Sequence, residues 1–289
     1  MKYTWILCLI FLLGVSVGAV AKDSEEKQEK KEKKEKPEVW YGKWPVLGLR
    51  IGTDIGGALP FPFSNIPSEF APKIKPRLTF GGEVIVPVSK RVTITAEVNY
   101  KTVAIDAEAF VEEQFFQAEG LNNNEPVFFT GMADMNMSFS MIEIPVYAEY
   151  QFSGGRNRVM LGGYYTINKK QSFDVVAKKG YMQITKGDED VLALNTNFTM
   201  SFTDDLDSWD AGVLFGYERR IMENLSVNGK VHIGLKSIFT DGFDKLEYKM
   251  YQMRLAVGVT YELIDFNKKY HLKKYIPSFR RKKKTQEGK

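Results

Sequence analysis

Two shortages in this chain each exclude a class of protein. Only one of its 289 residues is cysteine, Cys8, so the chain cannot be a scaffold held by several disulfides. A single apolar run, close to the N-terminus, approaches the roughly 20 residues that a membrane-spanning helix needs, which excludes a polytopic helical membrane protein. Histidine is also scarce, with only His232 and His271 present, and this limits the bases available for catalysis.

The N-terminal residues 1–21 have the organisation of a secretory signal peptide. Lys2 provides a positive start, Trp5–Val17 is apolar, and Ala19 and Ala21 are the small residues that precede a cleavage site. We expect cleavage after Ala21, which leaves a mature chain without cysteine. The alternative is a single membrane-spanning anchor over the apolar stretch that ends at Ala21.

Charge is distributed unevenly along the rest of the chain. Residues 22–45 form a linker and lead-in, in which Lys22–Pro37 contains seven lysines and six acidic residues and predicts a solvated tether. Residues 264–289 form a basic tail, because Lys268–Lys289 contains ten basic residues and Glu287 as its one acid. The formal net charge of +4 therefore combines a tail of +9 with a body, residues 38–267, of −7; the linker's +1 and Lys2 account for the remainder.

Residues 46–263 repeatedly alternate between apolar and polar positions, which is the pattern of strands with two different faces. In Leu47–Ile55, for example, Leu47, Leu49 and Ile51 alternate with glycine and charged residues. Most of the candidate strands have about 9 to 11 residues, the length that crosses a bilayer at the tilt of a barrel. The eight predicted strands are Leu47–Ile55, Leu78–Val88, Val92–Thr102, Ser138–Phe152, Val159–Ile167, Trp209–Tyr217, Leu225–Leu235 and Met253–Leu263.

The connections between these strands alternate in length. Ser89–Lys90, Ser153–Asn157 and Arg219–Asn224 are short, whereas the remaining connections, Gly56–Arg77, Val103–Met137, Asn168–Ser208 and the intermediate Lys236–Gln252, are longer. This asymmetry predicts an all-β fold, an eight-stranded antiparallel up-and-down transmembrane β-barrel, with its short turns and both chain ends in the periplasm.

The longest predicted loop leaves the strand count open between eight and ten. It contains three strand-like pieces, Phe173–Ala177, Tyr181–Thr185 and Asn197–Phe202. These pieces either lengthen the fifth and sixth strands or add a hairpin and make ten strands.

The polar faces of the predicted strands carry charges of both signs. Because eight strands leave an interior that side chains can fill, these charges predict an ion-pair network inside a plugged lumen. A soluble secreted barrel that binds a ligand, with its apolar face inside, is the alternative; aromatic residues near strand ends, such as Tyr100, Tyr150, Trp209 and Tyr261, favour the membrane protein. The predicted lumen residues are Arg50, Asp54, Glu83, Glu97, Lys101, Glu143, Glu149, Glu218, Lys230, Lys236, Arg254 and Glu262.

Four segments along the predicted strands are rich in aromatic residues, in glycine or in both: MIEIPVYAEYQF (Met141–Phe152), LGGYYTI (Leu161–Ile167), DAGVLFGYER (Asp210–Arg219) and LSVNGKVHIGLKSIF (Leu225–Phe239). These segments resemble the PorT-like outer-membrane β-barrel family of Gram-negative bacteria of the Bacteroidetes group. The resemblance covers Val46–Leu263 and implies an eight-stranded barrel in the outer membrane. Since some members are linked to secretion or gliding machinery, it also implies a structural, docking or accessory role in the envelope, and it brings no catalytic residues.

We predict no catalytic, cofactor-binding or metal-binding residues. An outer-membrane lipid-modifying enzyme or protease would need a base such as His232 close to an acid or to Ser226, but a satisfied interior histidine is the favoured interpretation. The acidic clusters Gly187–Asp190 and Asp204–Asp207 lack the spacing of a calcium-binding EF-hand and predict a solvated loop.

Three kinds of partner are expected from the predicted location and from the tail. A barrel in the outer membrane contacts outer-membrane lipid and requires the barrel assembly machinery. The tail interleaves aromatic and basic residues and suits anionic headgroups or another envelope protein. Because a signal peptide directs the chain out of the cytoplasm, nucleic acid is not an expected partner.

Overall fold

The computed structural model describes residues 44–66, 70–116, 127–152, 155–187, 192–193, 197–246 and 248–266. The predicted signal peptide, nearly all of the linker and the tail from residue 267 onwards lie outside this range. Within it, no helix is long and apolar enough to cross a membrane; the two helices are short 3₁₀ turns, Phe63–Asn65 and Thr203–Asp205. The strands are β1 (Val46–Phe61), β2 (Ala71–Lys75), β3 (Arg77–Pro87), β4 (Val92–Phe116), β5 (Val127–Phe152), β6 (Asn157–Gln183), β7 (Leu192–Ala193), β8 (Phe198–Ser201), β9 (Trp209–Met222), β10 (Leu225–Ser237) and β11 (Lys249–Asp265).

Eight of these strands form a closed antiparallel ring. The order is β1, β3, β4, β5, β6, β9, β10 and β11, and the ring closes where β11 pairs with β1 from Val46↔Asp265 to Phe61↔Lys249. The predicted eight-stranded antiparallel barrel is therefore confirmed, and the eight predicted segments fall on the eight ring strands. The short strands β2, β7 and β8 pair with β4 or β6 outside the ring, so the ten-stranded alternative is wrong.

Tight turns define one end of the barrel, which we call the turn end. Only Glu223 and Asn224 separate β9 from β10. In the turn between β3 and β4, the hydroxyl of Ser89 accepts hydrogen bonds from the backbone N–H groups of Arg91 and Val92. The start of β1 and the end of β11 also lie at the turn end, as predicted for an even number of strands. We call the opposite end the loop end.

Three ring strands are much longer than predicted. β4, β5 and β6 contain 25, 26 and 27 residues, so large parts of the predicted loops Val103–Met137 and Asn168–Ser208 are strand instead. Of the three strand-like pieces, Phe173–Ala177 and most of Tyr181–Thr185 lengthen β6. The third piece, Asn197–Phe202, contains β8, which pairs with β6 from Asp174↔Ser201 to Ala177↔Phe198. β4, β5 and β6, with β2, β7 and β8, form a sheet extension at the loop end.

The two faces of the barrel wall exchange their polarity along the strands, as β5 shows. Towards the turn end, its exposed outward residues include Ile144, Val146 and Tyr150, and its buried inward residues include Glu143 and Glu149. Towards the loop end, Met137, Phe139 and Met141 are buried inside, and the outward positions hold Asn136, Ser138 and Ser140. The wall thus has a lower part with an apolar outer surface, the apolar band, and the extension, in which the apolar residues are inside.

The boundary between the two parts is sharp. Thr102 on β4, Ser140 on β5 and Lys170 on β6 lie opposite one another, and the hydroxyls of Thr102 and Ser140 are 3.2 Å apart. Immediately below them lie Tyr100, Ile142 and Ile167 on the outward face. The outer surface of the extension carries ion pairs, Lys73–Glu108 and Lys178–Asp134 at 2.5 Å and Lys75–Asp106, as expected for a surface in contact with water.

Aromatic side chains mark both borders of the apolar band. Trp209 stacks on Tyr165 at one border with ring centroids 5.7 Å apart, and Tyr217 lies 6.4 Å from Phe152 at the other. Trp209 and Tyr217 are separated on β9 by about 26 Å at about 3.3 Å per residue, or about 20 Å along the axis of a barrel tilted by about 40°. This height suits a membrane-spanning barrel. A soluble ligand-binding barrel requires the apolar face inside, so that alternative is wrong.

Candidate functional site

The charged side chains predicted for the lumen do point into it. Of the twelve predicted residues, all but Lys236 are buried. Lys236 is partly exposed above the network, where it pairs with Asp207 and lies 4.1 Å from the centre of the Trp209 ring. The lumen charges form three clusters, which follow one another from the loop end to the turn end.

The first cluster lies directly below the extension. Lys101 Nζ is 2.7 Å from an Asp54 oxygen and 2.6 Å from a Glu143 oxygen. Arg254 contacts the same two carboxylates, with its Nη2 2.6 Å from Glu143 and its Nη1 3.4 Å from Asp54. Two cations and two carboxylates from β1, β4, β5 and β11 therefore alternate in a closed ring that joins strands on opposite sides of the lumen.

The second cluster is centred on Glu97 of β4. Its carboxylate accepts hydrogen bonds from Arg50 at 3.1 Å and Asn99 at 2.8 Å, and from Lys230 and the hydroxyl of Tyr147. The Lys230 ammonium also lies 4.4 Å from the centre of the Tyr147 ring. Four donors thus satisfy one buried carboxylate across the width of the barrel.

The third cluster fills the turn end of the lumen. Arg158 lies between Glu149 at 2.8 Å and Glu218 at 2.5 Å, and the hydroxyls of Thr93 and Thr95 donate to Glu149. Arg220 pairs with Glu262 next to this cluster.

Sequence reasoning missed three buried lumen charges, Arg158, Asp210 and Arg220. Arg158 and Arg220 lie just outside the predicted strands Val159–Ile167 and Trp209–Tyr217, and continuing the alternation by one or three residues would have placed both inside. Asp210 has the inward parity of its predicted strand. Its carboxylate accepts a hydrogen bond from the hydroxyl of Tyr164 at 2.9 Å.

An aromatic cluster closes the lumen within the extension. The ring of Phe173 lies 5.3 Å from that of Phe202 and 5.9 Å from that of Phe239, and Phe239 stacks on Phe243 at 3.9 Å. Met137, Phe139 and Met141 of β5 belong to the same buried cluster. The described part of the lumen is therefore filled by side chains, with ion pairs inside the apolar band and apolar residues above it.

Glycines on the strands make room for these interior side chains. A Cβ atom at Gly48 would lie 2.9 Å from the side chain of Glu83, and one at Gly212 would lie 2.6 Å from the ring of Tyr164 and 2.2 Å from the carbonyl oxygen of Ile233. Gly212 thus allows Tyr164 to lie flat against the neighbouring strand. Both glycines therefore serve barrel packing.

The structure does not bring together the residues of the enzyme alternative. His232 is buried, with its Nε2 3.5 Å from Glu143 and its ring 5.3 Å from that of Tyr164. Ser226 lies about 20 Å away along β10 and accepts a hydrogen bond from Arg158 at 3.4 Å. His232 therefore meets a carboxylate but not the candidate nucleophile, and His271 lies outside the described residues.

The second acidic cluster is paired with lysines. Asp205 lies 2.7 Å from Lys245, and Asp207 pairs with Lys236; Asp188–Asp190 of the first cluster lie outside the described residues. In the part of the chain that the structure describes, no three histidine, cysteine, aspartate or glutamate residues are placed to hold a metal ion.

The chain is similar to solved outer-membrane barrels. These include Ail, the attachment invasion locus protein of Yersinia pestis, with 8% identity over 75% of this chain and 99% of that one and a TM-score of 0.29. OprG of Pseudomonas aeruginosa shows 12% identity over 78% and 99%, with a TM-score of 0.33. CarO of Acinetobacter baumannii shows 14% identity over 76% and 98%, with a TM-score of 0.36.

A match to a protein family extends over more than half of the chain. No curated protein sequence matches it. Residues 12–240, however, match the family described as the outer membrane protein beta-barrel domain. Together with the closed ring and its apolar band, this match shows that the chain belongs to the outer membrane protein beta-barrel domain family.

Proposed function

We propose that this chain is a PorT-like outer-membrane barrel with a plugged lumen that serves as a structural, docking or accessory component of the envelope. The observation that carries the proposal is that ion pairs cross the lumen within the apolar band and the aromatic cluster closes it above. A filled interior favours a protein that acts through its surfaces over one that conducts solutes. A part in secretion or gliding machinery is the role that the PorT-like resemblance suggests.

Location is tested by fractionating cell envelopes. We expect the chain to stay in the membrane pellet through washes with alkaline carbonate and with salt, because its outer surface is apolar across the band. Release by either wash without detergent would contradict the proposed membrane insertion.

Orientation is part of the proposal. We place the turn end in the periplasm and the extension at the cell surface, because membrane barrels have their short turns on the periplasmic side. The only cysteine, Cys8, lies in the predicted signal peptide, so single cysteines can be introduced as Asp134→Cys in the extension and Lys90→Cys in a turn. A membrane-impermeant maleimide on intact cells should label only the first, and permeabilised cells should label both. The opposite pattern would reverse the orientation.

The basic tail is the proposed contact with a periplasmic partner. It follows β11, which ends at the turn end, and it carries a formal charge of +9, so it suits anionic headgroups or an acidic envelope protein. Cross-linking in intact cells, followed by identification of what is linked to the tail, tests this contact. An equal yield with a chain that lacks residues 268–289 would contradict it.

We do not propose an enzymatic role. His232 has a carboxylate as its neighbour, and the candidate nucleophile Ser226 lies about 20 Å away along β10. The measurement is a comparison of lipid A and of envelope protein fragments between cells with the native chain and with His232→Ala. A changed profile in a variant that still folds would contradict the proposal.

A further inference from the structure

Four exposed cationic side chains lie at the turn end, on the side of the ring that runs from β3 to β9. Lys90 and Arg91 lie in the turn between β3 and β4, Arg156 lies in the turn between β5 and β6, and Arg219 points outward from β9. None of the four forms an ion pair within the described residues, whereas Glu149, Glu218 and Glu262 at the same level are buried inside the lumen and paired with arginine. The outer surface is therefore basic from β3 to β9, whereas Glu223 in the β9–β10 turn and Asp265 at the end of β11 place acidic groups on the rest of the turn end.

These cations lie at the height of the lower aromatic border. Arg91 Nη1 donates a hydrogen bond to the hydroxyl of Tyr150 at 3.4 Å. The hydroxyl of Tyr217 donates to Asn157 at 2.6 Å, directly beside Arg156 and opposite Arg219 in the strand register. In membrane proteins, aromatic side chains at this position mark the level of the lipid headgroups. We call Lys90, Arg91, Arg156 and Arg219 the turn-end belt.

Arg156 and Arg219 form the most defined part of the belt. Asn157, which follows Arg156, pairs with Arg219 across β6 and β9, and the next residue of β9, Arg220, donates its backbone N–H to the Arg156 carbonyl oxygen at 2.8 Å. Both arginines thus lie on the turn-end side of the Phe152–Tyr217 pair, Arg219 on β9 and Arg156 in the turn that precedes β6. Guanidinium groups bind phosphate oxygens through paired hydrogen bonds, which makes this pair suitable for a phosphate group.

We propose that the turn-end belt binds the phosphate groups of anionic phospholipids in the adjoining leaflet. The inference rests on the membrane location proposed above. A lipid leaflet is the proposed occupant because the cations share the level of the aromatic border, where lipid headgroups lie.

The test measures lipid enrichment around the full chain in vesicles of phosphatidylcholine. Energy transfer from tryptophan to dansyl-phosphatidylglycerol is compared with transfer to dansyl-phosphatidylcholine. The belt variant carries Lys90→Gln, Arg91→Gln, Arg156→Gln and Arg219→Gln. The control variant neutralises four exposed cations of the extension, with Lys73→Gln, Lys178→Gln, Lys179→Gln and Lys186→Gln. Both variants keep the basic tail, so its contribution cancels.

We expect the native chain and the control variant to enrich phosphatidylglycerol and the belt variant to lose at least about fivefold of that preference, since one cation near an anionic surface is worth about that factor. The preference of the native chain should fall as salt is raised, because exposed charges are screened. An inserted belt variant with unchanged preference, or a control variant with an equal loss, would overturn the inference alone. A native chain that does not insert into the vesicles would overturn the proposed function as well.

Discussion

At the scale of single residues, the contribution of a lysine to stability depends on whether it lies in the lumen or on the outer surface. Lys101 is buried between Asp54 and Glu143, whereas Lys73 pairs with Glu108 on the outer surface, where their side chains are 62% and 41% exposed. Removing one partner of a buried ion pair leaves an uncompensated charge and costs about 3–5 kcal/mol. Exposed pairs contribute little because water and salt screen them.

The first prediction compares Lys101→Met with Lys73→Met. We expect Lys101→Met to lower the free energy of unfolding by about 3–5 kcal/mol and Lys73→Met to have little measurable effect, as followed by urea denaturation of the chain folded in lipid vesicles. Adding Asp54→Asn to Lys101→Met should recover part of the loss, because it leaves one carboxylate, Glu143, for the one remaining cation of the cluster, Arg254. Equal effects of the two lysine substitutions would show that the Lys101 ion pairs do not stabilise the lumen.

At the scale of strands, the exchange of faces explains which parts of the fold could be predicted. In β4 the outward apolar residues of the band have even numbers, such as Ile94 and Val98, whereas the buried apolar residues of the extension have odd numbers, such as Val103 and Ile105. The alternation continues but changes phase at the boundary. A search for one unbroken apolar face therefore stops at Thr102, where the predicted strand ended, and assigns the extension to a loop.

In the lumen, the alternation predicts which residues point inward but not which of them contact one another. Inward parity correctly identified Arg50, Glu97 and Lys230, because side chains of a strand alternate between its faces. It could not show that Arg50 and Lys230 both pair with Glu97, since β1 and β10 are far from β4 in sequence and partners depend on the register and shear of the closed ring. Faces were thus predictable, and contacts were not.

The second prediction concerns the extension as a separate element. Phe173 is buried among Phe202 and Phe239, so Phe173→Ala should remove about 3–5 kcal/mol of packing energy, mostly from the extension. We expect faster amide hydrogen exchange in the loop-end parts of β5 and β6, with unchanged exchange in the apolar band. Phe110→Ala, at a 37% exposed position of β4, is the matched control. Loss of protection throughout the barrel would show that the extension and the band unfold together.

At the scale of the whole molecule, the charge of the body is divided between its interior and its surface. Among the described residues, eight acidic side chains and six lysines or arginines are buried, so part of the body's negative charge is inside the barrel. Among the described residues, the outward surface of the turn end from β3 to β9 carries the exposed cations of the turn-end belt. The chain's net charge of +4 therefore describes neither surface, and only the fold shows which charges a partner meets.

The third prediction concerns the filled lumen as a barrier. An eight-stranded ring has an interior only wide enough for side chains, and here ion pairs occupy it within the band while the aromatic cluster closes it above. An ion that crosses the lumen would have to displace the ion pairs and the aromatic cluster. We therefore expect the purified chain in a planar bilayer to give no steady conductance, and vesicles that contain it to show no swelling in small sugars that a porin admits. Insertion is checked in the same vesicles by protection of the apolar band from protease. A stable open level from inserted chains, with a conductance that increases with salt concentration, would contradict the plugged lumen and would assign the barrel a role in transport.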